Sequence, residues 1–214
     1  MAILNNGPNG PIKGKFGSVF AYELNGQIII RGPRRRRTSV PTKAELLNRK
    51  KVSVMNKFLR MLYPVVKYGY KNLIIDHPTK NTANLAQSHV RKECIEIGEN
   101  NEPFVNPALF KPFRGPLPIP KNTNMQFIGN QLLINWTVDE DYTDPYIKVN
   151  LLLYSMEEHA DLKISIANAN DGTCSIASSI LSFSAGKIHV YIGFLDSYSG
   201  LLSDSVYVGA IDTA

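Results

Sequence analysis

"LLINWT", residues 132–137, decides how this chain of 214 residues folds. Alternate side chains in it are large and apolar, and this two-residue period predicts a β-strand with one face against a core. The same period recurs along the chain after residue 123, between turn-rich stretches such as 168–172. The predicted strands are Met125–Ile128, Leu132–Val138, Ile147–Tyr154, Leu162–Ala167, Cys174–Phe183, Ile188–Phe194 and Ser205–Ile211. About seven short strands in about ninety residues are typical of a β-sandwich.

A proline-rich segment precedes these strands. Residues 103–120 contain six prolines, too many for a helix or an inner strand. Because proline lacks a backbone N–H and fixes its own φ angle, such a stretch favours an extended, semi-rigid chain. We therefore predict a proline-rich connector over residues 103–122.

The N-terminal part contains a predicted β-hairpin. The first fifteen residues are rich in Gly, Pro and Asn and are expected to form an exposed arm. Phe16–Leu24 is then expected to pair with Gln27–Arg31 across Asn25-Gly26, the dipeptide that best tolerates the positive φ angles of a two-residue turn. Both faces of this hairpin are partly apolar, so it needs a surface to lie on.

A capping box predicts where the first helix begins. Thr42 and Glu45 have the spacing at which each side chain bonds the other residue's backbone N–H. Apolar side chains then recur at helical spacing as far as Met61, and Pro64 is expected to end or kink the helix. A second helix is predicted over about residues 82–97.

The predicted fold class is therefore α+β, mainly β. It has three parts: a hairpin with two helices over residues 1–102, the connector over 103–122, and a seven-stranded sandwich over 123–214. The strand at 132–137 resembles the second strand of a fibronectin type III domain, in which a Trp fills the core. The Tyr usual early in the sixth strand of such domains is replaced here by Ile188 or Val190. The resemblance implies a sandwich that is fibronectin-III/Ig-like without being a standard member.

A second resemblance covers nearly the whole chain. The segments "NGQIIIRGPR", "PTKAELLNRKKVSVMNKFL", "AQSHVRKECI", "FRGPLP", the Trp136 strand, "IHVYIGF" and "SDSVYVG" follow one another in a characteristic order and spacing. In this they resemble an uncharacterised domain family that is abundant in Bacteroidetes. That family has no assigned activity or catalytic residues, so the resemblance implies the domain layout and no site residue.

Charge is distributed unevenly along the chain. The net charge is +6, yet residues 1–72 carry 15 Lys/Arg and 2 acids, whereas residues 123–214 carry 3 lysines and 11 acids. The basic residues cluster at Arg34, Arg35, Arg36, Arg37, Arg49, Lys50 and Lys51, and the acids at Asp139, Glu140, Asp141 and Asp144. Such charge asymmetry indicates interaction with a charged partner and gives no information about the fold.

Catalysis is not predicted. The histidines, at positions 77, 89, 159 and 189, are scattered and expected at the surface, with His189 alternating with the inward-facing Ile188 and Val190. Cys94 and Cys174 are expected to be reduced and partly buried. The glycines at 10–16 lack the spacing, the Ser/Thr and the following helix of a phosphate loop. We therefore predict a non-enzyme with no cofactor, metal or small-molecule substrate.

Three interpretations of Arg34–Arg37 stay open. They form a solvated join between hairpin and helix, or an anchor for nucleic-acid phosphates, or a contact for the acidic cluster of a second copy. The aromatic residues Phe16, Phe20, Phe58 and Tyr63 are expected in the core, which disfavours base stacking.

The predicted function is a structural or assembly protein that acts through protein–protein contacts, with other copies of itself or with another protein. The assembly that the protein forms part of is expected to be a filament, a surface layer or a phage-like particle. The alternative is non-specific nucleic-acid binding. The sequence has no apolar run long enough for a membrane span and no signal-peptide pattern at its start, so a cytoplasmic or particle-associated location is expected.

Overall fold

The computed structural model describes residues 2–4, 13–24, 26–34, 38–76, 80–128, 131–138, 144–156, 159–183 and 186–213. Within these ranges the protein is mixed α and β, mainly β, with several antiparallel sheets and five α-helices.

The first sheet lies at the N-terminus. Its strands are β1 (Ala2–Leu4), β2 (Gly14–Phe16), β3 (Val19–Leu24) and β4 (Gln27–Arg31), in the order β1-β4-β3-β2. Tyr22 lies opposite Ile29 and Phe20 opposite Arg31, the register that a two-residue loop dictates. The sheet is thinly covered, because in β2, β3 and β4 only Ala21, Ile28 and Ile29 are buried.

Four helices follow this sheet: α1 (Lys43–Leu59), α2 (Tyr63–Gly69), α3 (Leu73–Asp76) and α4 (Thr82–His89). The capping box starts α1, with the N–H of Glu45 donating to Thr42 Oγ1 at 3.3 Å and the N–H of Thr42 donating to Glu45 Oε2 at 2.8 Å. Pro64 stands in the first turn of α2, where its missing N–H costs no helical bond, so it starts a helix after α1 has ended. In the described part of the chain, no helix combines the length and hydrophobicity that crossing a bilayer requires.

The predicted second helix is shorter than expected. After α4 comes a π-helical turn over Val90–Cys94, and the chain then forms β5 (Ile95–Ile97), which pairs with β6 (Pro103–Val105). The prediction of helix as far as residue 97 is therefore wrong at its end. The pairing with β6 places the start of the proline-rich segment in a sheet.

The proline-rich segment is mostly extended, apart from a 3-10 turn over Pro107–Leu109, and its middle part packs into the core. We call residues 110–117 the strap. Phe110 and Phe113 in the strap are 1% and 0% exposed. The N–H of Arg114 donates to the carbonyl of Gly69 at 3.0 Å, and the N–H of Phe113 donates to Ser205 Oγ at 3.3 Å. The strap therefore binds the helices on one side and the C-terminal strands on the other.

The described residues of the C-terminal half form seven strands in two sheets. They are β7 (Lys121–Ile128), β8 (Gln131–Thr137), β9 (Ile147–Ser155), β10 (Ala160–Lys163), β11 (Thr173–Ile176), β12 (Gly186–Asp196) and β13 (Val206–Thr213). One sheet has the order β10-β9-β12-β13 and the other the order β11-β8-β7. The predicted strand over Cys174–Phe183 is wrong in its second half, because Ser179–Phe183 forms helix α5.

Strands β9 and β12 are buried on both faces. Ile188, Val190 and Ile192 point into the core between the two sheets, together with Trp136, whose indole N–H donates to the carbonyl of Ala169 at 2.7 Å. The alternate residue Tyr191 belongs instead to a second core, made by α1, α2, α4, the π turn and the strap. The helical part and the strands thus share a core across one face of the sheet. None of the described residues of the N-terminal sheet belongs to either core.

Candidate functional site

The predicted basic cluster lies partly within the described residues. Arg34, Arg49 and Lys50 are exposed and Lys51 is half-buried, while Arg35, Arg36 and Arg37 lie outside the described residues. Lys50 Nζ pairs with Glu102 Oε1 at 3.4 Å. Exposed ion pairs of this kind contribute little to stability, so Lys50 stays available to a stronger anionic partner.

One exposed face of α1 and of the turn that follows it is polar and carries two cations. Arg49, Ser53, Asn56 and Arg60, the last of them just beyond the end of α1, recur at the spacing of one helical face and all are exposed. The opposite face buries Met55, Phe58 and Leu59 in the second core. The sequence pattern of α1 therefore produces a solvent-facing basic surface on a firmly packed helix.

The N-terminal sheet brings cations and aromatic rings together. Lys15, Phe20 and Arg31 lie opposite one another on β2, β3 and β4, and they share one face because paired antiparallel residues do. Tyr22 lies two residues from Phe20 on that face, with the Arg31 guanidinium 5.3 Å from its ring centre. With Arg34 they line a hollow of about 420 Å³, which we call the aromatic–basic face.

The prediction that Phe16, Phe20, Phe58 and Tyr63 are core residues is wrong for three of them. Phe58 is buried at 2% exposure, whereas Phe16, Phe20 and Tyr63 are 55%, 39% and 38% exposed. The sequence alternation in β3 is ambiguous because large apolar residues occupy both faces. For Phe16 and Phe20 the physical reason is that neither core includes a described residue of this sheet, whereas Tyr63 lies on the outer side of the first turn of α2.

Only the last residue of the acidic cluster lies within the described part of the chain. Asp139, Glu140 and Asp141 lie outside it, and Asp144 is exposed. Asp144 Oδ1 accepts the N–H of Tyr146 at 2.9 Å, which fixes the carboxylate at the start of β9. The described residues therefore test no contact between the acidic cluster and the arginines.

The prediction that His189 lies at the surface is wrong. His189 faces away from the core between the sheets, as its alternation with Ile188 and Val190 indicates, but it is buried because the helical part covers that face. Its Nδ1 lies 3.0 Å from the hydroxyl of Tyr207. Burial, assisted by the charge of Lys187, lowers the pKa of His189, so the ring is neutral at pH 7.

His89 is buried too, beside Cys94 and Glu93, in an arrangement that superficially resembles a nucleophile with its base. His89 Nε2 lies 3.8 Å from Cys94 Sγ, and Nδ1 lies 3.2 Å from Glu93 Oε2 without an aligned hydrogen bond. The N–H of Lys111 donates to the same Nε2 at 3.3 Å, so this nitrogen is already an acceptor for the strap. Burial, assisted by Glu93, raises the pKa of Cys94 to about 12, so the thiol stays protonated.

The remaining cysteine and histidines lie apart from this cluster. Burial raises the pKa of Cys174 to about 11. His159 is exposed, and His77 lies outside the described residues. In the ranges that the structure describes, no three His, Cys, Asp or Glu side chains come together as metal ligands would.

No protein-family model matches the chain, and no curated protein matches it either. The resemblance to the Bacteroidetes family therefore stays a prediction.

Proposed function

We propose that the protein is a non-catalytic assembly protein that acts through protein–protein contacts, as a component of a filament, a surface layer or a phage-like particle. The observation that carries this proposal is the position of the N-terminal sheet outside both cores. Its terminal strands β1 and β2 each pair on one side only within the described residues. Open strand edges and a thinly covered sheet are surfaces that pair with another chain.

The charge distribution supports the same function. Residues 1–72 are strongly basic and residues 123–214 acidic, so two copies attract when the front of one meets the rear of the other. An interface between two different surfaces of one protein is heterologous, and it produces rings or open filaments.

The absence of catalysis is part of the proposal. What supports it is the protonated state and burial of Cys94 and the use of His89 Nε2 by the strap. A nucleophile needs an ionised or activated atom that a substrate can reach, and this cluster offers neither.

We further propose that residues 123–214 are a fibronectin-III-like sandwich, joined through the proline-rich segment 103–122 to a basic module over residues 1–102. The sheet orders β11-β8-β7 and β10-β9-β12-β13 support the first part, as does the buried Trp136 on the second strand. The charge asymmetry supports the second part, although the two parts share a core.

The first prediction concerns self-association and the arginines. Light scattering after size exclusion should find masses above that of one chain, unchanged by nuclease and decreasing with salt. The variant R34S/R35S/R36S/R37S should associate about tenfold more weakly at low salt, since a surface charge pair contributes about a few tenths of a kcal/mol and four charges are removed. Its free energy of unfolding should change by no more than about 0.5 kcal/mol. If the quadruple variant associates like the wild type at every salt concentration, these arginines only connect the hairpin to the helix in solvent and make no contact with a partner.

Non-specific binding of single-stranded nucleic acid is the second candidate function, and the aromatic–basic face favours it. Exposed Phe20 and half-buried Tyr22 offer rings for stacking, and Lys15, Arg31 and Arg34 offer charges for phosphates, all around one hollow. Proteins that bind single strands without reading sequence combine these two kinds of contact.

The second prediction tests this candidate. Phe20→Ser should lower the affinity for oligo-dT by about 5- to 150-fold, because stacking on one ring contributes about 1–3 kcal/mol. Phe127→Ser is the matched control, since Phe127 is equally exposed but lies on β7 of the sandwich, and it should leave the affinity unchanged. Fluorescence anisotropy at several salt concentrations measures both. Equal loss in the two variants, or no binding by the wild type, contradicts this candidate.

A further inference from the structure

A cleft of about 570 Å³ lies where α1, β6 and the first residues of β12 meet, and we call it the junction cleft. Phe58 is buried at its floor, while Phe104 and Met156 line it with 45% of each side chain exposed. Large apolar side chains that are half-exposed around a concave surface mark a place where another group packs.

The junction cleft is also cationic. Lys57 and Lys187 line it, and neither has an ion-pair partner among the described residues. His189 lines it as well, neutral and with Nδ1 engaged by Tyr207. Apolar walls with two lysines suit an apolar or aromatic group that carries carboxylates beside it.

Such a group lies elsewhere on the same protein. Tyr146 and Tyr198 are 55% and 86% exposed, with ring centres 6.1 Å apart. Asp144 and Asp196 hold the turns that carry them, since Asp144 Oδ1 accepts the N–H of Tyr146 and Asp196 Oδ1 accepts the N–H of Tyr198 at 2.8 Å. We call these four residues the tyrosine knob.

The tyrosine knob is an ordered surface. The two turns are tied together by Ser197, whose N–H and hydroxyl both donate to the carbonyl of Tyr146, at 2.9 and 2.8 Å. Lys71 approaches the same turn at Gly200, but its ammonium is held 4.8 Å from the ring centre of Tyr68. The rings and their two carboxylates are therefore presented together, with little of their order left to be gained on binding.

The junction cleft and the tyrosine knob lie at opposite ends of one strand. Lys187 is the second residue of β12 and Asp196 is its last, so about 30 Å of extended chain separates them at about 3.3 Å per residue. Both faces of β12 are buried, which makes the strand a rigid spacer. The tyrosine knob consequently cannot fill the junction cleft of its own molecule.

We propose that the tyrosine knob of one molecule occupies the junction cleft of the next, so that copies join head to tail along the direction of β12. This inference rests on the proposed assembly function and names its interface. Aromatic rings enter the apolar part of the cleft, and Asp144 and Asp196 meet Lys57 and Lys187. Because the two surfaces differ, repetition of the contact gives a polar filament or a ring.

Two variants that each disable one surface test this interface. The cleft variant K57E/K187E keeps an intact knob, and the knob variant Y146S/Y198S keeps an intact cleft. Each alone should be a monomer by light scattering at concentrations where the wild type assembles. Mixed in equal amounts they should form a species of twice the chain mass and nothing larger, because the one contact left joins two molecules that both end there.

The control variant K43E/K67E makes the same charge change on exposed lysines of α1 and α2 that do not line the junction cleft, and it should still assemble at concentrations where both interface variants are monomers. Circular dichroism and melting temperature establish that all the variants are folded. Assembly of either interface variant alone, or a monomeric mixture beside an assembling wild type, overturns the inference and leaves the assembly function standing. A wild type that is monomeric at every concentration and salt overturns both.

Discussion

Phe113→Ala is expected to lower the free energy of unfolding by about 4 kcal/mol, the cost typical of truncating a fully buried phenylalanine. Phe113 is 0% exposed at the centre of the strap. Its ring packs edge to face on Tyr68 of α2, with centres 6.2 Å apart, and it also lies against Gly193 of β12. Truncation therefore leaves a cavity between the helical part and the sheet, where both must move for the space to close.

Chemical denaturation followed by circular dichroism and by Trp136 fluorescence measures this effect. Phe127→Ala is the matched control, because Phe127 is 41% exposed on β7 and its truncation should cost no more than about 1 kcal/mol. If the strap joins the two parts, both probes should report a transition at lower denaturant in the Phe113 variant. An effect of Phe113→Ala no larger than that of the control would show that the strap does not join them.

The local architecture was largely predictable where one physical signal dominates. The two-residue period of 132–137 predicts a strand because one face is buried, and Leu132, Ile134 and Trp136 are indeed in the core. The start of α1 was predictable because Thr42 and Glu45 satisfy backbone donors locally. Neither inference needs information about distant residues.

The burial of the strap was not predictable from the sequence. A high proline content indicates an extended backbone, but it does not indicate whether other parts of the chain pack against that backbone. The burial of Phe110 and Phe113 depends on residues up to about ninety positions away, such as Ser205. The burial of His189 has the same origin, since its outward face on β12 is exposed only if nothing packs there. Alternation in a strand identifies which residues share a face but not whether the second face is covered.

The sequence predicts which residue types form the candidate site, but it does not predict how they are arranged in space. The basic residues are visible in the sequence, and their exposure on α1 follows from the helical period. The aromatic–basic face was missed because Phe20 and Tyr22 share the apolar character of core residues. The signal that could have found it is the register between strands, which follows from the two-residue Asn-Gly turn. In the structure this register places Lys15, Phe20 and Arg31 side by side in one row.

Gly69→Ala and Gly115→Ala are each expected to destabilise the protein by about 3–5 kcal/mol, a large effect for the addition of one methyl group. A Cβ at Gly69 would lie 1.9 Å from the carbonyl oxygen of Pro112, and one at Gly115 would lie 2.0 Å from that of Leu202. Both obstacles are backbone atoms, so no side chain can rotate away. The strap therefore passes between α2 and the chain before β13 at distances that only glycine permits.

Helix propensity alone predicts that Gly69→Ala stabilises the protein, whereas the steric clash predicts that it destabilises it. The measured change in stability therefore shows which of the two effects is larger. Gly69 is the last residue of α2, and Ala stabilises a helix interior by about 1 kcal/mol relative to Gly. A contact of 1.9 Å with backbone requires the strap to move, which breaks the bond from the Arg114 N–H to the Gly69 carbonyl and disturbs Phe113. We expect the steric term to exceed the propensity term several-fold, so that the variant melts well below the wild type.

Gly32→Ala is the control for both substitutions, because nothing lies within 4 Å of a Cβ at Gly32 and its φ angle is an ordinary one. It should change the free energy of unfolding by no more than about 0.5 kcal/mol. The double variant G69A/G115A should cost less than the two single effects added together, because a strap displaced by one methyl group no longer opposes the other. Additive effects would mean that helices and strands yield independently around the strap, and a Gly69→Ala variant as stable as the wild type would mean that the strap does not press on α2 at all.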